Sequence, residues 1–159
     1  MKKDWVKNGA EYNFEVYHTI EVVKQLLNAG KLKINSEFNK TITYHDPCHI
    51  GRHMGLYDVP REVIKQIPGI NLVEMKRNKE NALCCGAGGG VKIGYPDWSV
   101  EISKERLEEA KEIEAKIVSS ICPFCKTNLS DANKRFDMGF EVLDLIEILS
   151  RLKIETINP

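Results

Sequence analysis

The stretch K-I-V-S-S-I-C-P-F-C, residues 116–125, is the part of the sequence that decides the expected fold. Its first six residues are rich in β-branched side chains and predict a short strand. Pro123 is tolerated in the first turn of a helix, so we expect a helix to begin there. Cys122 and Cys125 therefore lie where a strand gives way to a helix.

The same order of strand and helix recurs along the chain. Apolar residues at helical spacing run from Ile20 to Leu27, with Gly30 as the C-terminal cap. Further strands are predicted at residues 14–17, 41–44, 70–75 and 140–143, and further helices after Pro60 and over residues 98–115 and 144–152. This alternation predicts an α/β fold of Rossmann-like type, in which helices cover a mostly parallel sheet.

The cysteines occupy related places in that pattern. Sheets of this type bind ligands beyond the carboxyl ends of their strands. Cys48, the pair Cys84 and Cys85, and Cys122 each follow a predicted strand, and Cys125 lies one turn further on. We therefore expect all five cysteines on loops at one edge of the sheet.

Composition narrows the kinds of partner. Lys plus Arg and Asp plus Glu both total 23, so no strong basic face is expected to bind nucleic acid. The sequence has neither the apolar run of a signal peptide nor a segment apolar enough to span a membrane. We expect a cytoplasmic, reducing location, where free thiols indicate metal or redox chemistry rather than disulfides.

The number and spacing of the thiols favour a metal group. A Cys-x-x-Cys pair at a helix start brings two sulfurs to one side, and the helix dipole lowers their pKa. Neighbouring cysteines rarely bond to each other, and Gly86 gives the pair Cys84 and Cys85 the backbone freedom to converge on a ligand. Five thiolates are one more than a tetrahedral zinc ion uses, whereas an iron–sulfur cluster can use all five.

Three segments resemble the motif of the cysteine-rich CCG domain family over about residues 41–148. They are His45-Asp-Pro-Cys-His-Ile-Gly-Arg52, Cys84-Cys-Gly86 and Cys122-Pro-Phe-Cys125. The family includes catalytic subunits of heterodisulfide reductase and iron–sulfur subunits of glycolate oxidase and glycerol-3-phosphate dehydrogenase. The resemblance implies a non-cubane [4Fe-4S] cluster held by Cys48, Cys84, Cys85, Cys122 and Cys125.

This resemblance also implies a function. We expect an oxidoreductase subunit or fragment that transfers electrons and reduces a disulfide. Its expected partners are other redox subunits or a second CCG domain, and an iron–sulfur or flavin electron donor. The alternative is a zinc-stabilised structural or docking module without redox activity, which leaves one thiol spare.

Polar residues beside the cysteines are candidates for orienting the ligands or binding substrate. His45 and Arg52 flank Cys48 and can donate hydrogen bonds to sulfides or to an anionic substrate, although an ordinary surface ion pair explains Arg52 equally well. His49 and His53 would share a face of a helix, but no zinc-protease pattern surrounds them, so we expect an orienting or structural role rather than metal ligation. The glycines from Gly86 onward do not fit a dinucleotide-binding loop. A thioredoxin-type interpretation of Cys-x-x-Cys leaves three cysteines unused.

Two segments of the sequence echo each other. Residues 14–23 and 140–149 both read as a strand that feeds an amphipathic helix. One interpretation treats residues 1–40 as the tail of a preceding related domain and residues 41–159 as the second, C-terminal CCG domain. The other is that any two strand–helix junctions look alike.

Overall fold

The computed structural model describes residues 7–9, 11 and 13–157. Its centre is a four-stranded parallel sheet in the order β3-β2-β4-β5. The four strands are β2 (Thr41–Tyr44), β3 (Asn71–Leu72), β4 (Ile117–Ser120) and β5 (Glu141–Asp144). The α/β fold with a parallel sheet is thus confirmed.

Helices cover both faces of this sheet. They are α1 (Thr19–Asn28), α2 (Asp58–Lys65), α3 (Val91–Gly94), α4 (Pro96–Glu112), α5 (Pro123–Arg135) and α6 (Leu145–Ser150). On one face, Ile42 and Ile117 pack in a cluster with residues of α1, α2 and α6. On the other face, Val118 packs with residues of α4 and α5. The second face carries two of the cysteine-bearing segments described below.

Several boundaries differ from the sequence prediction. The strand predicted at residues 14–17 is wrong, since Phe14 and Tyr17 are 53% and 46% exposed and the segment has no regular strand structure. The strand predicted at residues 70–75 shortens to β3, and α4 begins two residues earlier than predicted because Pro96 occupies its first turn. The last helix, α6, ends at Ser150, two residues before the predicted end at residue 152.

A second, two-stranded sheet was not predicted. β1 (Leu32–Ile34) pairs antiparallel with β6 (Ile154–Thr156). Each strand has only three residues. β1 alternates apolar and charged residues, but this is too short to mark a strand, and all three residues of β6 are exposed. Among the described residues, no helix combines the length and the apolar character that a membrane span requires.

Candidate metal centre

All five cysteines line one cavity at the carboxyl end of the sheet. The cavity measures about 230 Å³ and is otherwise lined by Pro47, His49, Ile50, Gly88 and Phe124. One water molecule needs about 10–15 Å³ of such space, so the cavity has room for a group much larger than one ion. The prediction that distant cysteines meet at this edge is borne out by their positions.

Four of the five thiols are neighbours in a chain, in the order Cys84, Cys85, Cys125 and Cys122. The pKa of Cys85 lies well below its ordinary value because Cys125 and Cys84 both offer a proton to its sulfur, and the single proton of Cys125 is shared with Cys122. The pKa values of Cys84 and Cys125 are raised because their protons are held in these hydrogen bonds. Cys48 lines the cavity with them and lies close enough to Cys84 to raise its pKa further.

The pair Cys122 and Cys125 is positioned by the start of α5. Cys122 is the N-cap residue and Pro123 occupies the first turn, so backbone N–H groups at this end of the helix have no carbonyl partner within it. A hydrogen bond from Cys125, together with the N–H groups of Cys125 and Phe124, lowers the pKa of Cys122 to about 6. The helix start thus supplies one acidic, half-buried thiol and one buried thiol.

The pair Cys84 and Cys85 is positioned by close packing of its loop on α4. Gly86 has a φ of 82°, a conformation that residues with a Cβ seldom adopt. A Cβ at Gly86 would lie 2.6 Å from the carbonyl oxygen of Ser99 and 2.8 Å from Cβ of Ile102. Glycine is therefore required here by contact as well as by backbone conformation.

The carbonyl of Cys85 is held by two helices. The Asn128 amide donates to the Cys85 carbonyl oxygen at 2.6 Å and to that of Ser99 at 3.0 Å. The Ser103 hydroxyl donates to the same Cys85 carbonyl at 2.6 Å, and Ser99 donates to the Gly86 carbonyl at 2.9 Å. All of these polar side chains are buried, so they fix where the Cys85 backbone lies.

A buried ion-pair network fixes the loop that carries Cys48. Arg61 donates to both carboxylate oxygens of Asp46, at 2.7 and 2.9 Å, and to both of Glu74 at the same distances. The second Asp46 oxygen also accepts a hydrogen bond from the Lys79 backbone at 2.8 Å. Asp46 stands two residues before Cys48, so the network ties that loop to α2 and to the segment that follows β3.

His45 lies between the cysteines and a second arginine. Its imidazole is fully buried, and a ligand nitrogen of His45 and the sulfurs of Cys85 and Cys125 all lie within 4.8 Å of one another. The Nδ1 atom accepts a hydrogen bond from Nε of Arg106 at 3.2 Å. Burial lowers the pKa of His45, and the Arg106 charge lowers it further.

Within the part of the chain that the structure describes, Arg52 contacts backbone carbonyls and forms no ion pair. Its guanidinium donates to the carbonyl oxygens of Glu80, at 3.1 Å, and of Ala82. These contacts hold the turn before Cys84 against the π-helical turn His49–His53. Arg52 also lines a shallow cleft beside Cys84. His49 lines the cavity and packs against His53 with ring centroids 4.8 Å apart.

Sequence reasoning missed the residues that hold the cysteine loops. Arg61, Arg106 and Asn128 are each buried, and each contacts a loop residue 15 to 61 positions away in the chain. The sequence carries no spacing that links them to the cysteines. The one usable signal is the run of polar residues on the otherwise apolar faces of α4 and α5.

Five cysteines from three segments at one edge of a parallel α/β sheet, gathered in one cavity, define a cysteine-rich domain suited to binding a metal group. The chain matches the sequence profile of the CCG cysteine-rich domain over residues 42–130. Because that match covers more than half of the chain, the protein belongs to the cysteine-rich CCG domain family.

Several relatives are similar over most of the chain. A dihydromethanophenazine:CoB–CoM heterodisulfide reductase subunit of Methanosarcina barkeri is 49% identical over 150 residues, which cover 94% of this chain and 37% of the relative. The probable iron-sulfur-binding oxidoreductase FadF of Bacillus subtilis is 41% identical, with 86% of this chain and 20% of the relative covered. A CoM/CoB fumarate reductase subunit of Methanothermobacter marburgensis is 34% identical, with 94% and 29% covered. The chain spans a little over a third of the heterodisulfide reductase relatives.

Proposed function

We propose that this chain is the iron–sulfur domain of an oxidoreductase and that Cys48, Cys84, Cys85, Cys122 and Cys125 hold a [4Fe-4S] cluster of the non-cubane type. The observation that carries the proposal is the convergence of five thiols on one cavity of about 230 Å³. The donor set fits such a group, because thiolates are the protein ligands of iron–sulfur clusters and five of them exceed the needs of tetrahedral zinc. When bound, a cluster of this kind accepts and passes on single electrons.

The chain's own residues give the site its chemical character. The lining of the cavity is almost wholly apolar apart from the thiols and His49, which lowers the polarity around the group that they hold. Buried Asn128, Ser103 and Arg61 fix the loop backbones, so the thiols are positioned before any ligand arrives. A ring nitrogen of His45 lies within 4.8 Å of the Cys85 sulfur, so His45 is placed to interact with that thiol.

The proposed reaction is the reduction of a disulfide. The sulfur–sulfur bond takes up two electrons and two protons and gives two thiols. We propose that the electrons come from an iron–sulfur or flavin group of a partner redox subunit or of a second CCG domain. The name of the heterodisulfide reductase relative supports a disulfide as the substrate. The partner subunit is supported because this relative and the fumarate reductase relative are both named as subunits.

Exposed apolar side chains near the cavity support a partner at this end of the molecule. Ile93, Tyr95 and Trp98 are 86%, 66% and 61% exposed, and Trp98 lines the cleft beside Cys84. Phe124, which lines the thiol cavity itself, is 48% exposed. Apolar residues grouped in this way are typical of surfaces that meet another protein.

Anaerobic reconstitution tests the proposal. The metal-free chain is incubated with iron and sulfide, and bound iron, sulfide and zinc are measured together with the visible absorption. We expect about four irons and four sulfides per chain. Cys125→Ser is expected to lose iron, whereas Ala132→Ser, two turns along the same helix and equally buried, is expected to keep it. Tight zinc binding without sulfide would support the structural module instead.

A further inference from the structure

His45 lies among the cysteines, where its imidazole could also be a metal ligand. Together with Cys85 and Cys125 it forms a compact group of two sulfurs and one nitrogen, a donor set that many zinc sites use. If His45 were a ligand, the site would be a zinc site with spare thiols. The partners of the imidazole decide whether it can be one.

The hydrogen-bond partner of Nδ1 is a donor, whereas a histidine that binds metal through its other nitrogen needs an acceptor there. A ligating histidine uses the lone pair of one nitrogen and donates the N–H of the other to a carboxylate or carbonyl oxygen. Here the other nitrogen faces Nε of Arg106 at 3.2 Å, and a guanidinium offers only donors. Nδ1 must therefore be the unprotonated acceptor, and the single proton of neutral His45 belongs on Nε2.

Arg106 is itself fixed by its surroundings. Its side chain is fully buried, and Nη1 donates to the backbone carbonyl of Arg77 at 2.7 Å and to the carboxylate of Glu109. Glu109 also accepts a hydrogen bond from Arg77, so the guanidinium cannot turn away without breaking a buried ion pair. The donor that faces His45 is thus part of the rigid face of α4.

We propose that Arg106 fixes His45 as a hydrogen-bond donor to Cys85 and so excludes His45 from metal ligation. Coordination through Nε2 would need an imidazole with no proton on either nitrogen, held in a buried site. His45 and Arg106 are then positioning residues. A further consequence rests on the proposed function: a hydrogen bond to a ligand sulfur stabilises the reduced state of a bound cluster, so His45 raises its reduction potential.

The first test needs no cluster. Long-range proton–nitrogen NMR spectra of the full reduced chain, labelled with nitrogen-15 in histidine, show which ring nitrogen carries the proton. We expect His45 to be protonated at Nε2 alone, both without metal and after addition of zinc, and Arg106→Lys to preserve this state. An unprotonated Nε2 in the presence of zinc would overturn the proposal.

The second test uses the reconstituted chain and two variants. His45→Gln keeps an amide N–H that can donate, whereas His45→Leu does not. Iron content is expected to be equal in both, and His45→Leu is expected to favour oxidation of the cluster about tenfold, about 59 mV for one electron, with His45→Gln near the wild type. Loss of iron in both variants would mean that His45 is a ligand.

The two tests separate this proposal from the proposed function. A wild-type chain that takes up no iron and sulfide contradicts the proposed function, and the NMR result still decides the role of His45. A chain that takes up the cluster but shows no difference in potential between His45→Leu and His45→Gln contradicts the hydrogen bond to Cys85.

Discussion

The two cysteine pairs reach the same cavity by different means. Cys122 is the N-cap of α5 and Cys125 lies in its first turn, where the helix itself fixes the spacing and supplies N–H groups. Cys84 and Cys85 lie on an irregular loop whose shape depends on Gly86 and on buried side chains of α4 and α5. The first pair is held by local structure and the second by tertiary packing. We therefore expect the loop to tolerate much less change than the helix start.

The largest effect is expected at Gly86. In Gly86→Ala the new Cβ meets Ser99 and Ile102 and the residue is held at a positive φ, so the free energy of unfolding should fall by about 3 kcal/mol. Urea denaturation measures this change. Gly88→Ala is the control, because its Cβ meets nothing within 4 Å, and equal losses in both variants would contradict the close packing of the loop.

A smaller loss is expected at Asn128. In Asn128→Ala the Cys85 carbonyl loses one of its two side-chain donors in a buried environment, which should lower the free energy of unfolding by about 2 kcal/mol. Thr127→Ala, on the exposed side of the same helix, is expected to change stability by less than about 0.5 kcal/mol. A neutral Asn128→Ala would show that the loop does not depend on α5.

The thiols of the two pairs are also expected to differ in reactivity. In the reduced, metal-free chain at pH 7, Cys122 has a pKa of about 6 and is mostly thiolate, whereas the pKa of the more exposed Cys84 is raised. Alkylation with iodoacetamide followed by peptide mass mapping should modify Cys122 about ten times faster. Faster modification of Cys84 would mean that exposure, and not the helix start, governs reactivity.

The smallest effect is expected at Pro123. Pro123→Ala keeps the helix start and both thiols and removes only the restriction on the unfolded chain, so stability should fall by about 0.5 kcal/mol. Reconstitution should give the iron content of the wild type. A loss as large as that in Gly86→Ala would remove the distinction between the two pairs.

The two echoing segments show how much of the fold the sequence could predict. Both contain a capping box, formed by His18 with Glu21 and by Asp144 with Glu147, and both begin a helix where the pattern places one. Residues 141–144 pair with β4 and form a strand, whereas residues 14–17 do not form one. Helix starts are decided by neighbouring residues, but a strand needs a partner that the sequence does not name.

The candidate site could likewise be predicted only in part from the sequence. The positions of the cysteines at one edge of the sheet followed from the strand–helix order, because the carboxyl ends of parallel strands share an edge. The side chains that hold the loops could not be predicted, since Arg106 contacts His45 across 61 residues and Arg61 contacts Asp46 across 15. Such contacts depend on how helices pack on the sheet.

If all five thiols serve one metal group, Cys48 must belong to it together with the other four. The other four line the same cavity and are enough in number for a four-cysteine zinc site by themselves. The decisive measurement is therefore bound iron and sulfide, with low-temperature EPR, for wild type and Cys48→Ser after reconstitution. We predict that Cys48→Ser loses iron or changes the EPR signal. Zinc binding that is identical in both chains, without sulfide, would contradict the account.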